Sequence, residues 1–453
     1  MMQGKNVLVM GLGRFGGGVD SAIFACKSGA KVTVTDLADE SALEESLAEL
    51  AGFDIEYHLG GHRREDFKNT DLVIVNPAVP PDNRFLQTAD KAKRLITSQV
   101  EIFFQLCRCR IVGITGANGK STTAALTAHL LRKGSGQKGI GYRRVRLSGN
   151  IGNRPLLEIL DELDCRDVVV LELSSFQLEQ LSRIQTAPDV SVITNLTPNH
   201  LDRHGTFEAY CAAKENIFKF QKGRKNEPAV SIFNAEDLIT AGWFELYNKD
   251  PQRCSLTFKG ADVPDKFQKV FNLPGRANLS NLAAAVVAAR QFKVNDDTIL
   301  QALATFQALP HRLELVAQIK GARWYNDSIA TTPVSAIAAL EAFEEPKIII
   351  AGGYDKGLVF DELGKEIAQR AKAAILIGDT ATKIAGAIRM GGGTGVQVEF
   401  AGSMGQAVNC AGRLAQDGDV VLLSPACASY DMFTNFRQRG EVFKKLVTKL
   451  AEI

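Results

Sequence analysis

From Gly113 to Thr123 the chain reads GITGANGKSTT. An apolar, β-branched run, RIVGIT, leads in, and a helix-like stretch, TTAALTAHLL, leads out. Gly119-Lys120-Ser121 at such a turn has the ending of a phosphate-binding loop. The backbone amides from Gly116 through Asn118 and Gly119 would cradle phosphates, Lys120 would reach the terminal phosphates, and Ser121 would face Mg²⁺. The strict spacing of that loop asks for glycine at position 114, where Ile114 stands. ATP is the expected ligand.

A second glycine-rich turn, Gly11-x-Gly13-x-x-Gly16, also follows a strand-like run and precedes a helical stretch, and Asp36 ends the next strand-like run. This is the dinucleotide fingerprint: glycines let the backbone approach a pyrophosphate, a helix N-terminus attracts it, and the acid accepts from a ribose. The motif does not separate NAD from another nucleotide joined through a pyrophosphate, such as a UDP-sugar. A dehydrogenase has no need of a phosphate-binding loop. An enzyme that spends ATP on a nucleotide-linked substrate needs both turns.

Further polar residues stand at strand ends. Glu172 closes the apolar run DVVVLEL, where a carboxylate is costly unless paired or metal-bound, and an acid on a neighbouring strand commonly holds Mg²⁺ beside such a loop. His200 and His204 are spaced i, i+4 in NLTPNHLDRHGTFEAYCAAK; His204-Gly205 reads as a turn, which leaves His200 as the better candidate. Asn278 and Asn281 open an apolar helix, as caps or as ligands. Arg312, in ALPHRLE, would reach phosphates, and Asp327, Ser328 and Thr331 read as an N-cap cluster or a site.

The elements that must position these groups are short apolar runs alternating with amphipathic ones. NVLVMG, KVTVTD, LVIVN, RIVGIT, DVVVLEL, VSVITN, KIIIAGG and DVVLLSP have the length of buried strands. Such alternation implies an α/β fold of parallel sheets with helices on both faces. New units open at Arg110 and near Leu309-Pro310, giving three domains, 1–109, 110–308 and 309–453: N-terminal Rossmann-like, central with the phosphate-binding loop on a parallel sheet, and C-terminal Rossmann-like. Gly134–Asn150, Gly-rich and basic, reads as a surface loop or hairpin with Arg143, Arg144 and Arg146 solvated. With 53 basic and 51 acidic residues the net charge is +2, which argues against a nucleic-acid-binding surface. Eight scattered cysteines without Cys-x-x-Cys spacing fit reduced thiols in a cytoplasmic protein rather than a disulfide or zinc framework. No apolar run spans a bilayer, and the N-terminal run reads as a strand, not a signal peptide.

The motifs GITGANGKSTT, LELSSFQLE, NLTPNHLDRH with YCAAK, ALPHRLE and NDSIATTP, in this order, resemble the Mur ligases, ATP-dependent amide-bond-forming ligases of bacterial peptidoglycan precursor synthesis. The GLGRFGGG unit with Asp36 and the segment SPACASYDMFTNFRQRGEVF (Ser424–Phe443) point within that family to the addition of D-glutamate to UDP-N-acetylmuramoyl-L-alanine. The resemblance implies that Gly11, Gly13, Arg14, Phe15, Gly16 and Asp36 hold the UDP part, with Asn150 and Ser174 near the sugar. It implies Lys120, Ser121 and Thr122 on ATP phosphates, Asn278 and Asn281 on the adenine side, and Arg312 and Asp327 on phosphates and ribose. It implies two Mg²⁺ ions held by Ser121, Glu172, His200 and Lys214, the last as a CO₂-derived carbamate. Thr331, Lys356, Ser429 and Phe436 match positions that receive D-glutamate. A cytoplasmic monomer without nucleic-acid partner or membrane insertion is implied. Departures are Ala277 for a common His, Ile329 for a common Lys, and Asn76-Pro-Ala-Val for a Ser-Pro-Gly type of loop. Sibling Mur ligases, folylpolyglutamate-type ligases, a non-catalytic binding protein and, remotely, an NAD-dependent oxidoreductase are the rival readings.

Overall fold

A computed structural model describes residues 2–13, 16–151, 155–224 and 227–452. The apolar runs form strands because a strand covered on both faces needs no polar side. Five of them, β1 (Asn6–Met10), β2 (Lys31–Thr35), β3 (Ile55–His58), β4 (Leu72–Val75) and β5 (Leu95–Thr97), make a parallel sheet in the order β3-β2-β1-β4-β5. A second parallel sheet holds β6 (Arg110–Thr115), β7 (Val145–Gly149), β8 (Val168–Glu172), β9 (Val190–Ile193), β10 (Ala229–Asn234) and β11 (Arg253–Phe258), in the order β11-β10-β9-β6-β8-β7.

The third sheet comprises β12 (Glu314–Ile319), β13 (Ala322–Asn326), β14 (Lys347–Gly352), β15 (Ala371–Ile377), β16 (Gln397–Phe400) and β17 (Val420–Leu423). Its order is β12-β13-β17-β14-β15-β16, with only β12 antiparallel to its neighbour. The expected α/β class is what the chain adopts, with two wholly parallel sheets and a third that is parallel but for its edge strand β12. All eight apolar runs singled out above are strands.

The chain divides into two compact units: Met1–Val263 with Ser280–Ala302, and Pro264–Leu279 with Leu303–Ile453. The first two sheets share the first unit because one apolar cluster runs through both, from Val7, Val9 and Phe103 to Ile111, Val169 and Phe233. No helix among the described residues is long and apolar enough to cross a membrane.

One local expectation is overturned. Val145–Gly149 is neither loop nor hairpin but an edge strand parallel to β8. Arg144 is bound by Asp167 through two nitrogens, at 3.2 and 2.8 Å, and Arg146 by Glu162 at 2.8 Å. Asp167 is buried and holds the Arg144 head at the sheet, while the side chains of Arg143, Arg144 and Arg146 stay partly in solvent as expected. An edge strand presents few buried positions, which is why its sequence lacks a continuous apolar run.

Within the first unit, helix Gln99–Leu106 of the first layer is tied to helix Ser175–Arg183 of the second. Glu101, 1% exposed, accepts from Arg183 Nε at 3.0 Å and Nη2 at 2.6 Å, and from Ser98 Oγ at 2.7 Å. The pair is bidentate, and its acid is desolvated while its base stays partly wet. Glu101→Ala should lower the stability of this unit by about 2 kcal/mol, and a double-mutant cycle with Arg183→Ala should return a coupling of about 1–2 kcal/mol. Denaturant melts of the four proteins read both numbers, and additive effects would show that the pair contributes nothing.

Candidate active site

The central strand of the second sheet is β6, with β8 on one side and β9 on the other. Parallel strands end together, so the loops after all three open on one carboxyl edge. Register places Glu172, the last residue of β8, opposite Ile114 of β6. Lys120 begins the helix Lys120–Gly134 that follows the β6 loop.

The loop is pinned from the β9 side. Ala117 N donates to Asn195 O at 2.8 Å and Asn118 N to Asn195 Oδ1 at 2.9 Å. Thr194 Oγ1 and Asn195 Nδ2 donate in turn to Asn118 O, at 2.5 and 3.1 Å. Thr194 and Asn195 were not singled out from the sequence, and their only signal there is their place directly after a strand. Gly116 has φ +148° and Gly119 φ +81°. A Cβ at Gly116 would lie 1.9 Å from Thr194 Oγ1, and one at Gly119 would lie 2.2 Å from Asn281 Oδ1. Asn281 is buried and accepts from Thr123 Oγ1 at 3.2 Å, so it braces the first turn of the loop's helix. Lys120 Nζ donates to Ala117 O at 2.8 Å. Ser121 is partly exposed at the loop and Thr122 is buried.

Opposite the loop, Glu172 is buried and its Oε2 has no hydrogen-bond partner. Lys214, on helix Phe207–Lys219, is 2% exposed. Its Nζ donates to Thr115 Oγ1 at 3.2 Å and lies over the Tyr210 ring at 4.8 Å. Burial, then the nearby Lys120 cation, hold the Lys214 amine well below the ordinary lysine range, with Glu172 opposing. His200 stands in the left-handed conformation, φ 52° and ψ 35°, at the start of helix Leu201–His204. A non-glycine residue there carries strain of the kind that clusters at functional sites. Its imidazole is lowered by desolvation, then by Lys120 and Lys214, against Asp202. His204 does not pair with it: the Phe176 ring meets both, at 5.2 and 5.3 Å.

No three His, Cys, Asp or Glu side chains among the described residues form a ready metal cage. A cation at Glu172 would therefore take its other oxygens from Ser121 or a bound phosphate. That suits Mg²⁺, which keeps few protein ligands. The orphaned Oε2 is the atom such an ion would satisfy.

Two other expected positions turn out differently engaged. Asp36 Oδ2 accepts from Leu12 N and Gly13 N, at 2.8 and 3.2 Å, and Oδ1 from Ala38 N at 2.9 Å. The acid thus organises the glycine turn that contains Gly11, Gly13 and Gly16, whose φ values are all positive. Ser174 caps helix Ser175–Arg183 in a capping box with Gln177, while Asn150 N donates to Glu172 O at 3.1 Å. Arg14 and Phe15 lie outside the described residues.

In the second unit, the carboxyl edge of β13, β17 and β14 gathers the remaining candidates. Asp327 is buried, accepts from Ser424 Oγ at 2.9 Å and Leu313 N at 3.2 Å, and is raised to about 7 by burial, with Arg312 opposing. It is no helix cap: Thr332 caps Pro333–Glu341. Ser429 is buried, Thr331 and Phe436 are partly buried, and the exposed Lys356 lies 5.4 Å from the Tyr430 ring. Asn278 Nδ2 donates to Pro274 O at 2.7 Å.

The sequence did not announce Arg439. It is 1% exposed and donates to Ser328 Oγ and O, Cys427 O and Ala428 O, at 3.0, 2.8, 3.0 and 3.3 Å. Burial lowers it to about 10. It clamps the segment before Thr331 to the segment before Ser429.

Gly119→Ala should weaken nucleoside-triphosphate binding by at least about tenfold. The left-handed conformation alone costs an L-residue about 1–2 kcal/mol, and the clash with Asn281 forces the loop to move. Calorimetric titration measures it, and an affinity within twofold of the unaltered chain would sink this account of the loop.

Comparison with known proteins matches three family models: a Mur ligase MurD-like N-terminal domain over residues 5–98, the Mur ligase middle domain over 114–289, and the Mur ligase glutamate ligase domain over 311–427. A protein of Roseiflexus sp. (strain RS-1) named UDP-N-acetylmuramoylalanine–D-glutamate ligase is 40% identical over 98% of this chain and 99% of its own. One of the same name from Thermoanaerobacter pseudethanolicus is 38% identical over 99% of each. Among solved structures, UDP-N-acetylmuramate-alanine ligase MurC of Thermotoga maritima aligns with TM-score 0.58 and 19% identity, over 98% of this chain and 100% of that one. The MurF ligase of Thermotoga maritima, solved in complex with ADP, gives 0.57 and 18%, over 93% and 96%. The structures speak for the fold alone; the full-length sequence relatives go further, and the chain belongs to the Mur ligase family.

Proposed function

We propose that the chain joins D-glutamate to UDP-N-acetylmuramoyl-L-alanine at the expense of ATP, releasing ADP and phosphate, as a monomer in the bacterial cytoplasm. The observation that carries this reading is the partnerless Glu172 oxygen, set on the same sheet edge as the Lys120 loop and near the buried amine of Lys214. The full-length relatives named for this reaction support the choice of substrates. Eight free cysteines fit a reducing compartment.

The work divides over residues 1–109 for the UDP-sugar, 110–308 for ATP and 309–453 for the amino acid. Gly11, Gly13, Arg14, Phe15, Gly16 and Asp36 hold the UDP part, the acid by shaping the turn, with Asn150 and Ser174 toward the sugar. Gly116, Asn118, Gly119, Ser121 and Thr122 cradle the ATP phosphates. Asn278 and Asn281 lie on the adenine side, and Asp327 meets the ribose. Thr331, Ser429 and Lys356 offer two hydroxyls and a cation to the carboxylates of D-glutamate, and Phe436 covers its apolar stem.

The reaction begins with a carboxylate approaching the γ-phosphate, so repulsion between anions is the barrier to remove. Lys120 and Arg312 hold the transferred oxygens and lower that repulsion. Glu172, His200 and Ser121 suit two Mg²⁺ ions, which when bound would neutralise phosphate charge and align the attacking and leaving oxygens. The carboxylate oxygen bonds the γ-phosphorus as ADP leaves, which gives an acyl phosphate. The amine of D-glutamate then attacks its carbonyl carbon, phosphate leaves as the amide forms, and the amine proton passes to an active-site water.

Lys214 is read as the carbamate former. A neutral amine adds to CO₂ and loses a proton, which converts a buried cation into an anionic oxygen ligand. The burial that lowers the Lys214 amine favours the uncharged form that this addition needs. Lys214→Ala should lose about 100-fold in activity, and a short carboxylic acid in the assay should restore part of it. Full activity without Lys214 would remove the carbamate.

The whole reading is tested by phosphate release with ATP, Mg²⁺ and UDP-N-acetylmuramoyl-L-alanine, offering D-glutamate, L-glutamate, L-lysine, meso-diaminopimelate or L-alanine in turn. Turnover should appear with D-glutamate alone, with a product of the matching mass. Turnover with another amino acid would reassign the acceptor.

A further inference from the structure

The proposed mechanism gives no task to His204, yet its imidazole is enclosed on every side. Its side chain is 1% exposed. Nε2 lies 2.9 Å from Ser175 Oγ, and Nδ1 lies 3.3 Å from Glu179 Oε1. One neutral tautomer serves both neighbours: the hydroxyl donates to Nε2, and the Nδ1 proton faces the carboxylate. The ring faces are engaged as well. Phe176 stacks at 5.3 Å with 20° between planes, and Tyr210 meets the ring edge-on at 5.5 Å.

Beyond those two rings stand the residues read as metal ligands. The His200 ring is 5.2 Å from Phe176, and Lys214 Nζ is 4.8 Å from the Tyr210 ring. His200, Phe176, His204, Tyr210 and Lys214 thus form one row with His204 at its centre. His204 N also donates to His200 O at 3.0 Å, closing the turn that keeps His200 in its strained conformation. Ser175 opens the helix that follows β8, so the same imidazole links the segment just after Glu172, the last residue of β8, to the loop after β9.

We propose that His204 is a positioning residue that sets the separation of His200 from Lys214 through the Phe176 and Tyr210 rings, and so sets the affinity of the site for a divalent cation. This rests on the reading of His200 and Lys214 as metal ligands. Ligating groups must be held to about half an ångström, and a fully enclosed ring with both nitrogens engaged has almost no freedom to move. The exposed His200 stands in a left-handed turn and meets the Phe176 ring on the way to His204, so its placement depends on that ring.

The test is a Mn²⁺ titration followed by electron paramagnetic resonance, on the full chain with a non-hydrolysable ATP analogue, alongside thermal melts. His204→Leu, which removes both ring contacts and both polar ones, should raise the Mn²⁺ needed for half-saturation by about tenfold. Ser175→Ala, which removes one hydrogen bond and leaves every ring in place, should raise it by about threefold. His204→Phe keeps the row of rings and should recover most of the loss.

A merely structural role would lower the melting temperature and leave Mn²⁺ half-saturation of the folded protein unchanged. That result in both His204→Leu and Ser175→Ala overturns the proposal, and Ser175→Ala decides alone should the leucine variant not fold. A phenylalanine variant no better than leucine overturns transmission through the rings. Mn²⁺ binding by the unaltered chain without product from D-glutamate would sink the ligase reading while leaving this one standing. Absence of Mn²⁺ binding would remove both.

Discussion

A buried carboxylate oxygen without a donor is expensive, and the second sheet is built around one. Glu172 ends a strand that is buried along its whole length, so its side chain cannot turn to solvent without pulling β8 out of the core. Lys214 is a poor ion-pair partner for it, because burial and Lys120 hold its amine well below the ordinary lysine range. The edge therefore holds an acid whose Oε2 lacks a donor and, near it, an amine whose charge burial disfavours. On the proposed reading, a divalent ion would satisfy the first and an added carboxyl group would let the second join as a ligand, each relieving a cost already present in the fold.

Parallel topology explains why these groups meet. Glu172, the Gly116–Lys120 loop and the Thr194-Asn195 anchor come from segments far apart in sequence, yet they follow adjacent strands that end together. The third sheet repeats the device with opposite sign. Arg439 is a buried cation answered by three carbonyls and a hydroxyl rather than by a carboxylate. Its full charge makes those bonds stronger than neutral ones and fixes two loops at once. The first sheet differs again, for Asp36 already accepts from the turn amides, so its charge shapes the loop before it meets a ligand.

Legibility in the sequence followed burial. Strands covered on both faces, such as VVVLE and KIIIAG, are continuous apolar runs and were readable at once. The glycine loops were readable because few other turns use those residues. β7 was not, because an edge strand needs few apolar positions and its arginines are neutralised by Asp167 and Glu162, acids that lie well along the chain. Arg439 was hidden for the same reason, since a charged residue reads as surface until the partners that allow its burial are known, and His204 was noticed only to be set aside as a turn residue. Thr194 and Asn195 matter through their bonds to the loop, and nothing in their types separates them from any strand-end pair.

The Ile114 departure has a physical answer. A glycine is needed where the backbone turns or where another chain segment leaves no room for a Cβ. Position 114 meets neither condition: it is still inside β6, fully buried, and paired in register with Glu172 and Val192 on its two sides. The turn begins two residues later at Gly116, where Thr194 excludes a side chain. A β-branched apolar residue at 114 therefore strengthens the strand that aims the loop. It also packs the layer from which Glu172 projects, so the departure reinforces the phosphate-binding geometry it first seemed to weaken.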